Sequence, residues 1–204
     1  METGFLLKGL FIGFLIAAPV GPIGVLCIQR TLARGRLSGL ISGLGAASAD
    51  AVYGSVAGFG LTLIAEFLID QHVWFSTLGG LFLCYLGFRI FRGKPAEKAV
   101  APGSFGLFTD YASTFLLTLT NPMTILSFAA VFAGLGLVGT GGDYLAAGLL
   151  ILGVFTGSAL WWTILAGGVG MLKDQLSPER FQWLNRVSGV LITGFGVFTL
   201  LHAL

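Results

Sequence analysis

The sequence predicts an all-α integral membrane protein: six transmembrane helices in two inverted three-helix repeats, with helices 1 and 4 broken. Three observations predict it. Only 10% of the 204 residues are charged and 55% are hydrophobic, whereas soluble domains carry about 25% charged residues. Apolar runs of about 20 residues recur, the length a helix needs to cross a bilayer. The basic residues gather in alternate loops. The 32 glycines follow no three-residue period and suit the close backbone approach of helices packed in lipid.

The first span, 4–27, is interrupted by Ala17-Ala18-Pro19-Val20-Gly21-Pro22. Proline has no N–H and clashes with the preceding turn, so the freed carbonyls need neighbouring helices or a polar cavity. Ala17-Ala18 imitates a signal-cleavage site. Glu2 stands where a basic region belongs, however, Lys8 lies inside the run and Pro19 follows, so the segment reads as a retained span. The second span, 37–64, places Gly39, Gly43, Ala47, Asp50, Gly54 and Gly58 on one helical face. Small residues pack against protein rather than lipid, which turns Asp50 inward. The third span is 73–91. A polar linker, 92–108, separates a first repeat, 1–91, from a second, 109–204. The remaining spans are 109–138, containing Asn121-Pro122, then 144–171 and 184–202.

Ten of the 11 basic residues fall on one side: Arg30, Arg34 and Arg36; Arg89, Arg92, Lys94 and Lys98; Lys173, Arg180 and Arg186. Lys8 is the exception, and the other side carries Glu66, Asp70, His72 and Asp143. The positive-inside rule assigns the basic loops to the cytoplasm and both termini to the outside. The halves also repeat. Pro22 matches Pro122, Asp50 matches Ser158, and Gly80 and Gly87 match Gly189 and Gly196, at offsets of 100, 108 and 109. Three spans per repeat is odd, so the second repeat is inverted. Interrupted helices at matching places point to a substrate site near the bilayer midplane; ordinary proline kinks are the alternative.

Asp50 is the leading chemical residue. A carboxylate at mid-membrane costs about 2.5–3.5 kcal/mol on insertion scales. It is a candidate proton-coupling group or counter-ion for an amine; the alternative is a structural acid bonded to donors of the broken helices. The candidate substrate-binding residues are Pro19, Gly21, Pro22, Asn121, Pro122, Tyr53 and Trp161. Asn121 can cap the break and donate or accept to a substrate. Thr118, Thr120 and Thr124 bond back to the helix or line a pore. Trp161-Trp162 falls mid-span, away from the interfacial belt, and stacks on a cation or simply packs. Topology and lipid phosphates explain Arg30, Arg34 and Arg36. Asp110, at the start of the fourth span, reads as a surface charge; pairing with one of these arginines is the alternative.

Cys27 and Cys84 support neither a disulfide nor a thiolate metal site. The sequence has no HExxH, nucleophile elbow, phosphate loop or ATP-hydrolysing domain. It therefore predicts no enzyme, cofactor or metal, and no nucleic-acid partner.

Pro19-x-Gly21-Pro22, then Gly35, Gly39, Gly45 and Asp50, then Gly80 with Gly87-Phe88-Arg89, then Phe115 and Thr120-Asn121-Pro122, carry a resemblance over the full length. The chain resembles the LysE/RhtB family of amino-acid exporters (LysE-type translocators), small proteins of the bacterial cytoplasmic (inner) membrane. Many members are similar in having Pro-Gly-Pro flanked by asparagines and a lysine after Asn-Pro. Here Val20 splits the motif, Ala18 and Ile23 flank it and Met123 replaces the lysine, a more apolar site. The resemblance implies a secondary exporter, a proton antiporter, of an amino acid or related small metabolite. Export of a metal or inorganic ion, or a non-transporting scaffold or receptor subunit, are the alternatives. The expected partners are the substrate, protons or another coupling ion, and membrane lipid; a homodimer is allowed beside a complete monomer.

Overall fold

Every apolar run that can be followed becomes a helix. The computed structural model describes residues 3–19, 21–59, 70–92, 104–121, 124–125, 127–128, 143–172 and 178–202. Among these are seven helices and no strand: α1 Thr3–Ala17, α2 Pro22–Arg34, α3 Arg36–Gly58, α4 His72–Phe91, α5 Ser104–Leu119, α6 Tyr144–Leu172 and α7 Pro178–Leu201. Three contain segments long and apolar enough to cross a membrane, Val73–Phe91, Tyr144–Met171 and Gln182–Leu201. The predicted first span is α1 and α2 together, bent by 79° at the proline break. The other two predicted spans do not qualify on their own. In α3 an inward row of Ser38, Ser42 and Asp50 dilutes the apolar character, and α5 has 16 residues.

The boundaries move in three places for local reasons. α5 begins at Ser104, inside the predicted linker, because Phe105, Leu107 and Phe108 extend its apolar run. α7 begins at Pro178, where a proline's missing N–H is no loss. α2 runs on to Arg34 and stops at Gly35, whose φ of 99° favours glycine. The Gly35 N–H bonds Thr31 O at 2.9 Å, and α3 starts at the next residue.

The bundle turns apolar side chains outward as well as inward, and buries polar ones among them. Leu15, Trp74, Leu78, Ile164 and Val190 are exposed, while Ser38, Ser42, Asp50, Asp110, Thr114 and Ser158 are buried. Lipid tails are as apolar as leucine, so helices associate in lipid by close packing and hydrogen bonds. Gly9 of α1 meets Gly153 of α6, Gly13 lies against Val154, and Gly157 lies against Leu10. A Cβ on Gly9 or Gly13 would run into the carbonyl of Leu150 or Val154, and one on Gly157 into that of Leu10. α4 and α7 cross antiparallel: a Cβ on Gly80 would lie 3.0 Å from Gly196 O, and one on Gly87 2.8 Å from Gly189 O. α3 packs between α6 and α5, antiparallel to α6, with Gly39 by Ala166 and Gly58 by Ala147. Arg36 touches Gly170 near the end of α6, and Gln29 of α2 reaches Asn185 of α7 at 3.4 Å. These contacts bring Arg30, Arg34, Arg36, Arg89, Arg92 and Arg186 to one end of the bundle.

Two alanine substitutions separate packing from helix propensity. At Gly148, exposed with nothing within 4 Å of an added Cβ, alanine raises stability by about 0.5–1 kcal/mol. At Gly157 it lowers stability by about 1–3 kcal/mol. Thermal unfolding of the two variants in detergent checks the opposite signs.

Candidate functional site

The break between α1 and α2 leaves backbone without helical partners. The last bond of α1 is Ala18 N–H to Phe14 O at 3.0 Å; the first of α2 is Val25 N–H to Gly21 O at 3.1 Å. Pro22 has no N–H, and helix geometry leaves those of Ile23 and Gly24 without partners inside α2. Gly21 has an ordinary extended backbone, φ −101° and ψ −163°. A Cβ there would meet nothing within 4 Å, so its small size keeps space open.

That space is a cavity of about 330 Å³. Its wall runs from the end of α1 (Ile16, Ala17, Pro19) over the start of α2 (Gly21 to Gly24). Ala46 and Asp50 of α3 continue it, with Thr118, Asn121, Thr124 and Ser127 at the second break. Trp162 of α6 and Phe195, Phe198 and Thr199 of α7 complete it. Asp50 is the one ionisable group of this lining, and it is 3% exposed. Ser158 Oγ donates to Asp50 Oδ2 at 2.6 Å and accepts from Trp162 Nε1 at 3.1 Å. Thr118 Oγ1 is buried and makes no hydrogen bond among the described residues.

The sequence-predicted residues separate into those the structure brings together and those it does not. Pro19, Gly21, Pro22, Asp50 and Asn121 share the cavity wall. Pro122 and Val20 lie outside the described residues. Tyr53 and Trp161 are not in the described lining. Tyr53 donates to Leu119 O at 2.5 Å and stacks on Phe128; Trp161 packs edge-on against Phe14. The neighbouring Trp162 faces the cavity instead. Sequence reasoning missed Phe195, Phe198 and Thr199, which carried no signal in a chain with 18 phenylalanines.

A second polar cluster corrects two readings. Asp110 is fully buried, not a surface charge, because the earlier start of α5 carries it into the bundle. Arg30 is 5% exposed and does not reach lipid phosphates. Arg30 Nε lies 3.4 Å from Asp110 Oδ1, and Arg34 pairs with the same oxygen. Ser38 Oγ donates to Asp110 Oδ2 at 2.5 Å. Arg30 also reaches Ser42 Oγ at 3.0 Å, Thr114 Oγ1 at 2.7 Å and Ser113 Oγ at 2.7 Å.

Residues 14–203 match the family model described as LysE type translocator. The "Putative amino acid efflux protein YcgF" of Bacillus subtilis (strain 168) is 28% identical, over 94% of this chain and 93% of that protein. The threonine efflux protein of Escherichia coli (strain K12) is 27% identical, over 87% of this chain and 88% of that protein. An uncharacterised membrane protein of Synechocystis, slr1627, is 26% identical over 95% of each. No solved structure matches.

Ser158→Ala leaves a buried carboxylate oxygen and an indole N–H without their shared partner. The expected cost is about 1–3 kcal/mol, read as a lower unfolding temperature. Ser158→Thr retains the hydroxyl and recovers most of that loss.

Proposed function

The chain belongs to the LysE type translocators, and from that premise we propose that it is a secondary exporter of an amino acid with a short, neutral side chain. The carrying observation is the cavity at the helix break, with Asp50 as the one ionisable group of its described lining. An amino acid brings an ammonium and a carboxylate. Asp50 supplies the counter-charge for the first. The start of α2 supplies free N–H groups and the positive end of a helix dipole for the second. The described lining holds no base for an acidic side chain and no second acid for a basic one. Thr118, Thr124, Ser127 and Thr199 offer hydroxyls, and Phe195, Phe198 and Trp162 offer apolar faces. The efflux names of the relatives in Bacillus and Escherichia support the same class.

Proton antiport is the coupling we assign, with Asp50 exchanging the proton. Ser158 suits both states, since a hydroxyl can donate to a carboxylate or accept from a carboxylic acid. Alternating access would rock two inverted repeats, 1–91 and 109–204, about the fixed site. Two contacts support that architecture. Asp50 bonds Ser158 across 108 residues, and Cys84 Sγ lies 3.9 Å from Thr193 O across 109. Both separations equal the offsets at which the halves repeat. Under a two-fold axis only residues on the axis touch their own mates. The crossings Gly80–Gly196 and Gly87–Gly189 exchange under the same operation. The positive-inside rule then sets the basic end in the cytoplasm of a bacterial cell, with both termini outside.

Counterflow in proteoliposomes against an amino-acid panel, with and without a pH gradient, tests the proposal. A neutral amino acid is expected to exchange, faster with a gradient. Asp50→Asn removes the counter-charge and weakens apparent affinity by about 2 kcal/mol, roughly thirtyfold, and ends the response to the gradient. Gly21→Leu folds, because its backbone is ordinary, and loses counterflow by filling the cavity. Absence of counterflow for every amino acid refutes the assignment.

A further inference from the structure

We propose that Arg30 and Asp110 form the gate that shuts the cavity from the basic end of the bundle. The assignment rests on the transport reading above. The register of the helices carries it. Along α3 from its basic end, Ser38 and Ser42 hold the ion pair, and Ala46 and Asp50 then line the cavity. Along α5, Asp110 and Thr114 are in the cluster, and Thr118 lines the cavity. In both helices the cluster sits one turn, about 5.4 Å, nearer the basic end. Arg30 and Asp110 are 5% and 0% exposed, so they plug the path. The Arg34 side chain, 36% exposed, marks the edge of the plug.

The helix that opens the cavity also carries the plug. α2 presents its first turn to the cavity and its last turns, with Arg30 and Arg34, to Asp110 on α5. A cargo bound at the start of α2 therefore acts on the same rigid element that closes the far side. The chemistry of the plug suits a contact that opens. A buried ion pair gives up hydration on closing and recovers it on opening, so the two states are close in free energy. An apolar plug would instead expose its surface each time it parted. Arg30 is further satisfied by hydroxyls of both α3 and α5, which fix the closed geometry.

Thiol labelling tests the gate without any cargo. The reporter is Thr118→Cys in a background of Cys27→Ala and Cys84→Ala, treated with a membrane-impermeant thiosulfonate. In inside-out vesicles the reporter is expected to react slowly while the ion pair is intact. Adding Asp110→Asn raises that rate about tenfold, with no rise in vesicles of the opposite orientation. Thr114→Val, which keeps the ion pair and removes one hydroxyl partner, raises it about threefold. Equal rates with and without Asp110→Asn, or an equal rise from both faces, overturn the gate. Should Asp110→Asn fail to fold, Thr114→Val and Ser42→Ala carry the test, and unchanged labelling in both overturns it. A protein that shows this labelling but no amino-acid counterflow would refute the assigned cargo and leave the gate standing.

Discussion

A carboxylate in the middle of an apolar bundle needs a partner, and Asp50 has one in Ser158. The rest of the structure is arranged so that these two side chains can meet. They lie on α3 and α6, which run antiparallel and touch along their lengths through Gly39, Gly43, Gly54 and Gly58. A larger residue at Gly43 would collide with Trp162, the side chain whose N–H completes the hydrogen-bond chain to Asp50. Close packing therefore comes first, and the polar contact depends on it. In lipid this order is natural, because small residues let backbones approach and the approach lets side chains bond.

The break at Pro19 to Pro22 adds a second consequence to one local defect. It ends α1 early enough to leave a cavity beside Asp50. It also sends α2 off at 79°, toward the serines of α3 and the acid of α5. A straight first span would have neither the open wall at Gly21 nor Arg30 within reach of Asp110. In the account proposed here, binding at one end of α2 and closure at the other follow from this single bend.

What could be read from the sequence was mostly what broke a rule. Prolines inside a span and an acid inside a small-residue stripe are costly, and both now border the cavity. Ser158 breaks no rule and was visible only as the repeat mate of Asp50. The choice between Trp161 and Trp162 was not legible, because α6 is apolar all round and offers no polar face to set its rotation. Asp110 was legible as a partner for a nearby arginine but not as a buried one, because a few residues of helix start move a charge from the surface to the interior. Arg30 was misread because the topology rule already explained a basic residue there. One sufficient reason hid a second: four polar partner residues on two other helices that no local pattern encodes.

The central claim is that the cavity beside Asp50 is where the cargo binds. The most direct measurement uses two single-tryptophan proteins, one keeping Trp162 and one keeping Trp161, with phenylalanine at the other tryptophan positions. Titration with neutral amino acids should change the emission of Trp162 saturably, leave that of Trp161 against Phe14 nearly unchanged, and lose the response with Asp50→Asn. A saturable response from Trp161 alone, or one from Trp162 that persists unaltered with Asp50→Asn, would contradict the account.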